Sequence, residues 1–407
     1  MKIEMSLLRN AQGFAFLSYG FRPFFFGGAI YAGLAVAIWI PAYFGELTLH
    51  TTFAPLDWHI HEMLFGFLPA VIAGFLLTAI PNWTGRPPVR GNLLLLMVVV
   101  WVLGRVAVAC SGEVGWRAAM LADASFLLLA GAVAAREVLA ARNFRNMRVV
   151  ALVLLLFACN IAFHVEAHVH GAADYSMRAG VAVIIILVSV IAGRIVPAFT
   201  RIWLMRQPQG AMPVPFSRFD GIAVLLGALA LAAWVVRPEG MLTGGLCLIA
   251  GLFHVARLVR WAGYRTFANR ILVILHIGYA FVPLGFLLAA ASALEFVSVS
   301  AAIHAWMVGG AGIMTLAVMS RASLGHSGRP LVASAATQAV YALVIAAAFA
   351  RVAAVLVPAW GNGLIYVAAA CWILSFLGFA LSYAPAFLAI RLDERGPPPQ
   401  ASMPIRH

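Results

Sequence analysis

The chain has 407 residues, 64% of them hydrophobic and only 10% charged, with a mean hydropathy of +0.97. Soluble domains of this length carry far more charge, so the composition excludes a soluble enzyme or binding module and implies a polytopic membrane protein. A net charge of +13 would suit nucleic acid in a soluble chain, but the arginines fall in loops between apolar runs, where membrane topology accounts for them and no nucleic acid is needed.

After a polar start, Gly20-Phe-Arg-Pro-Phe-Phe-Phe leads into a first predicted span at about 23–44. That segment lacks the short apolar core and small-residue cleavage site of a removable leader, so it is expected to be retained. Further spans are predicted at about 60–81, 93–110, 117–137, 148–168, 178–199, 219–237, 241–261, 270–292, 301–320, 333–357 and 361–390. Twelve spans put both ends of the chain on one side. Arg86 and Arg90, then Arg136, Arg142, Arg145 and Arg148, then Arg201, Arg206 and Arg218, then Arg260, Arg265 and Arg270, then Arg321 and Arg329 occupy alternate loops. The intervening loops carry Glu46, Asp57, Glu113, Glu166, Asp174, Glu239 and Glu295. Positive loops stay cytoplasmic, which predicts both termini inside. The four cysteines (Cys110, Cys159, Cys247, Cys371) are far apart in apolar runs and read as small buried hydrophobes. The tail from Gly396-Pro-Pro-Pro, 396–407, reads as disordered.

Two spans share a pattern. His59-Ile-His61 precedes an uncharged run from Met63 to Ile80 that closes on Thr84-Gly-Arg-Pro87, and His304 precedes a run closing on Ser327-Gly-Arg-Pro330. Gly66 and Gly309 each follow the histidine by five residues. A weaker copy repeats Val71-Ile-Ala-Gly74 as Val190-Ile-Ala-Gly193, with Gly180 where the histidine would fall. The expectation is an all-α fold: one membrane domain, 1–395, of three pseudo-repeated four-helix modules at about 20–140, 141–262 and 263–390. The second, sixth and tenth helices would be equivalent.

Topology sorts the histidines. His59, His61, His164, His168, His170 and His304 fall at the outer ends of three spans. His254 and His276 lie in the inner half of the eighth and ninth spans, ~5–9 Å of helix rise from the inner boundary. His50 and His407 read as surface residues, and His326 as part of a cytoplasmic loop. Ionisable groups at membrane depth are costly, and neutral imidazole ligates haem iron and copper there. No Cys-x-x-Cys-His occurs, so any haem would be held non-covalently. His59 and His61 are ~200° apart around a helix, so each can serve a centre on its own side. His164 and His168, one turn apart, can share a metal. His61 and His304 hold equivalent places in two repeats, as two axial ligands of one haem would; His254 with His276 is the alternative pair. Met63 and Glu62 flank the first site, and Arg105 with Asp123 reads as a structural ion pair. Arg22, Arg86, Arg194, Arg201, Arg321 and Arg329 can hold propionates or anions, or serve topology alone. No P-loop, Gly-x-Ser-x-Gly, His-Glu-x-x-His or paired catalytic carboxylates occur.

Trp58-His-x-His-Glu-Met-Leu-Phe-Gly, Asn82-Trp-Thr-Gly, Phe163-His164, Gly193-Arg-x-x-Pro-Ala-Phe-Thr-Arg201, Leu275-His-x-Gly-Tyr279 and Met319-Ser-Arg-x-x-Leu-Gly-His-x-Gly-Arg329 together resemble the NnrS family over nearly the whole chain. The resemblance implies a multi-pass protein of the bacterial inner membrane containing haem, here b-type, and copper, associated with nitric oxide metabolism and denitrification. His168 and His170 fall outside those motifs. The architecture is also similar, more loosely, to the catalytic subunit of haem-copper oxidases and nitric oxide reductases. This chain departs from that pattern: spans six and seven lack histidine and span ten has one rather than three. Copper is then expected elsewhere, at His59 with His164. Three functions follow as expectations: nitric oxide reduction at a haem–copper centre fed by an unidentified electron donor; non-catalytic sensing, scavenging or protection; or transport of copper or an anion.

Overall fold

The computed structural model describes residues 15–391; the expected tail at 396–407, with His407, lies outside them. Among the described residues are twelve helices long and apolar enough to cross a membrane, and no strand. They are α1 (Phe21–Tyr43), α2 (Pro55–Thr84), α3 (Asn92–Ala109), α4 (Trp116–Ala140), α5 (Phe144–His170), α6 (Asp174–Leu204), α7 (Arg218–Val236), α8 (Met241–Arg265), α9 (Arg270–Ala293), α10 (Val299–His326), α11 (Ala335–Leu356) and α12 (Pro358–Leu388). The chain is a multi-pass membrane protein.

Local chemistry sets the ends. Gly85 takes a left-handed conformation (φ 69°) that stops α2, and Gly171 does the same for α5 (φ 80°). The side chains of Asn269 and Ser334 each accept a backbone N–H from the first turn of α9 and α11, and Ser217 with Asp220 closes a reciprocal cap on α7. Two boundaries differ from the sequence expectation in ways that matter. α2 starts at Pro55, suited to a first helical position, so His59 and His61 lie inside the helix rather than at its mouth. α10 runs on to His326, which therefore ends a helix instead of lying in a loop. Its ring is held 6.1 Å from Tyr19 and 5.9 Å from Phe21.

Helices adjacent in sequence pack side by side, and α12 packs on α1 to close the circuit. Trp372 of α12 donates its indole N–H to Ala32 O of α1 (3.0 Å), and Arg22 Nη1 reaches Phe387 O (3.1 Å) and Ala389 O (2.6 Å). α10 touches α2, α6 and α9 in the interior. Of their most apolar stretches, 78% of α2 and 67% of α10 is buried within the protein, against 33% of α3 and α7, which face outward.

Both α2 and α10 widen into a π-helical turn directly after a histidine, at Glu62–Phe67 and Ala305–Ile313. Such turns displace a backbone carbonyl from the regular ladder and recur at functional sites. In α2 the Gly66 carbonyl accepts the Trp101 indole N–H of α3 (2.9 Å).

Candidate functional site

The densest polar cluster lies where α2, α3, α4 and α5 meet. His61 projects from α2, Asp123 from α4, and Asn160 and His164 stand one turn apart on α5. His61 Nε2 is 3.1 Å from Asp123 Oδ2, and His164 Nε2 is 3.2 Å from the same oxygen. Asn160 donates to that oxygen from Nδ2 (2.7 Å) and meets His61 Nε2 through its Oδ1 (3.1 Å). One ligand atom from each of His61, Asp123 and His164 lies within 4.8 Å of the others, and all three residues are buried. Glu62 Oε1 is 3.0 Å from His61 Nδ1. Arg105 of α3 bridges Glu62 and Asp123, and the Tyr31 hydroxyl of α1 donates to Glu62.

The rings of Phe53 and Phe163 wall the cluster, with Phe53 5.0 Å from the His61 ring and 5.1 Å from His164. Two carboxylates against one guanidinium leave one buried negative charge, which is expensive at membrane depth and which a bound cation would balance. Two imidazoles and one carboxylate suit a divalent transition metal, copper and zinc included.

On the opposite side of α2 is a cavity of 430 Å³ between α1, α6, α10, α11 and α12. Its lining is mostly apolar, with His59, His304 and Arg351 as the basic groups. The His59 ring stacks on Trp39 (4.0 Å, 20°), and its buried Nδ1 has no hydrogen-bond partner. His304 Nδ1 lies 2.7 Å from Ser300 O. A carbonyl only accepts, so Nδ1 carries the proton and Nε2 keeps its lone pair, the arrangement that orients a ligating histidine. A cavity of this size lies within the range that holds small molecules and cofactors. Two imidazoles and an arginine on an otherwise mostly apolar lining, which also includes Asp57 and Asp174, are the donor types that haem iron and a propionate call for.

The sequence matches the family described as NnrS protein across residues 15–391. The chain belongs to the NnrS family. Membership links it to the response to nitric oxide and to a family generally associated with haem and copper. No curated protein matches the chain.

The other histidines of this NnrS protein are placed differently from the sequence expectation. His61 and His304 do not meet: His61 turns to α4 and α5 while His304 faces the cavity with His59, because two residues of helix turn His59 and His61 to opposite sides. For the same reason His164 joins His61 and not His59. His168 is exposed and stacks on Trp116 (4.3 Å), so it does not share a site with His164; His170 is exposed as well. His254 and His276 are engaged by different partners. His254 Nδ1 meets the Tyr279 hydroxyl (2.7 Å) and its ring lies on Phe286, while His276 Nε2 meets Thr200 Oγ1 (2.9 Å). The second nitrogen of each ring abuts helix backbone. A Cβ on Gly227 would stand 2.9 Å from His254 Nε2, and one on Gly263 would stand 2.5 Å from His276 Nδ1, so each ring packs closely against a neighbouring glycine.

Arg105 and Asp123 do form the expected ion pair, but inside the histidine cluster rather than apart from it. Sequence reasoning overlooked Asn160 and Tyr31. An asparagine four residues before a histidine in an otherwise apolar run was the available signal for Asn160.

Proposed function

We propose that this protein binds nitric oxide in the His59–His304 cavity, at a b-type haem, and exchanges single electrons with copper held by His61, Asp123 and His164. The relation between His59 and His61 carries this reading: two residues on one turn serve two ligand sets on opposite sides of α2. Haem iron supplies an affinity for nitric oxide, and copper supplies one-electron exchange. His304 is the residue suited to ligate, because Ser300 fixes its tautomer. His59 lines the same cavity with Nδ1 free to donate to whatever the cavity holds. Arg351 supplies the charge that a propionate needs. In the other cluster Asp123 and Glu62 hold negative charge against the metal, and Arg105 keeps the carboxylates from repelling each other.

A helix ~10 Å across separates the two ligand sets, so two nitric oxide molecules are not held together for N–N bond formation. The reading is therefore capture and one-electron chemistry rather than reductive coupling. We place the arginine-bearing end in the cytoplasm of a bacterial inner membrane, with an electron donor still to be found. The test is a titration of the reduced, purified protein with nitric oxide. Stoichiometric binding without sustained consumption in the presence of an artificial electron donor is expected. Sustained consumption would mean that the protein is a reductase.

A further inference from the structure

The end of the bundle opposite His59, His61 and His304 has a cavity system of its own. A partly open 350 Å³ cavity lies between the final turns of α2, α6 and α10, and a neighbouring 710 Å³ one lies between α5, α6 and the segment after α6; Trp83 and Arg194 line both. Arg321 and His326 line the first, and Arg145, Arg148 and Arg201 the second. No carboxylate lines either among the described residues.

The carboxylates near this end are already engaged: Glu137 by Arg86 and Arg136, and Asp220 by Arg257 and Arg260. Arg194 is half-buried and spends one nitrogen on Asn146 Oδ1 (2.8 Å). Arg321 is half-buried with its guanidinium 3.8 Å from the centre of the Phe199 ring and, among the described residues, no hydrogen-bond acceptor. Stacking uses the face of a guanidinium and leaves the N–H groups around its edge for an oxyanion. Charges that merely set topology sit in water-exposed loops and need no cavity. Arg194 lies ten residues before the end of α6 at Leu204, ~15 Å of helix rise, beside an apolar wall of Phe75, Ile195 and Leu275.

We propose that this vestibule binds one oxyanion between Arg194 and Arg321, either the phosphate of an anionic lipid whose chains lie along the apolar wall or a free inorganic anion. Paired guanidinium groups recognise phosphate oxygens by two parallel hydrogen bonds each, and basic pockets between membrane helices are known stations for lipid phosphate.

The test uses the whole protein in phosphatidylcholine nanodiscs, with inorganic phosphate and phosphatidylglycerol as the two probes. Thermal unfolding is followed against chloride at matched ionic strength, and retained lipid is counted by native mass spectrometry. A saturable stabilisation is expected, with apparent affinity at least tenfold weaker in Arg194→Gln and in Arg321→Gln, partly restored in Arg194→Lys, and unchanged in Arg206→Gln, an exposed arginine outside the vestibule. Stabilisation by phosphatidylglycerol with one lipid retained assigns the site to lipid; stabilisation by phosphate alone assigns it to a free anion. The proposal fails if neither probe stabilises the wild type, or if Arg206→Gln weakens binding as much as the vestibule variants. It fails too if binding emerges only in Asp393→Asn/Glu394→Gln, which would make the chain's own tail the occupant.

Discussion

His59 and His61 are two residues apart, yet the Nδ1 of His59 is unpartnered beside the cavity that His304 lines, while both nitrogens of His61 are engaged by Glu62, Asp123 and Asn160. Their side chains diverge by ~200° about the axis of α2. One motif thus supplies two environments, one roomy and apolar, the other tight and charged. Substitutions at the two positions should have separable effects.

His164→Ala should cut copper content to well under half of wild type while leaving haem absorption as it was, because its ring meets Asp123 and stands apart from the cavity. Elemental analysis beside an optical spectrum decides it. Copper at the wild-type level would remove His164 from the ligand set.

His304→Ala should abolish haem absorption, whereas His59→Ala should keep haem and weaken nitric oxide binding about tenfold, the loss of roughly one hydrogen bond in a dry site. A His59 variant without haem, with a His304 variant that retains it, would exchange the two roles.

Arg105→Gln should destabilise the protein by about 3–5 kcal/mol, because it leaves Glu62 and Asp123 buried without their shared counter-charge. Combining it with Glu62→Gln should recover part of the loss. Unfolding in detergent measures both, and a single variant as stable as wild type would contradict the electrostatic account.

Gly285→Ala should cost about 1–3 kcal/mol through overpacking. A Cβ there would stand 2.2 Å from Cδ1 of Trp306, whose own indole N–H is committed to Val282 O (3.1 Å) and which cannot easily give way. The melting temperature reports it, and no change would mean that α9 and α10 can slide apart.

Cys110 is exposed just after α3, at the histidine end. Intact cells should label it with a membrane-impermeant maleimide, and Cys110→Ala should remove the signal. Gln207→Cys in that background, on the exposed segment after α6, should label only after permeabilisation. The reverse pattern would invert the orientation.

The twelve spans were legible because apolar length alone marks a membrane helix, and α3 and α9 fall within a residue or so of expectation. The partners of His61 were not. Helices such as α2 are apolar all round, so their sequence gives no face to aim a histidine by. A π-helical turn just after His61 also shifts the phase between the histidines and the rest of the helix. Asp123, Asn160 and Tyr31 come from three further helices and converge only through packing. The repeat encouraged pairing His61 with His304, yet His304 faces the cavity of His59. A shared sequence pattern does not say which neighbour each residue meets.

The grip of Arg22 on Phe387 O and Ala389 O brings the beginning and the end of the described chain within one side chain's reach. Since α12 also lies along α1, the twelve helices form a circuit with no natural first member. A circularly permuted gene, opened at the exposed stretch 205–211 and with the ends of the described chain joined by a linker, should insert and assemble, provided each helix keeps its direction through the bilayer. The order in which a ribosome makes the helices would then be separable from the order in which they stand.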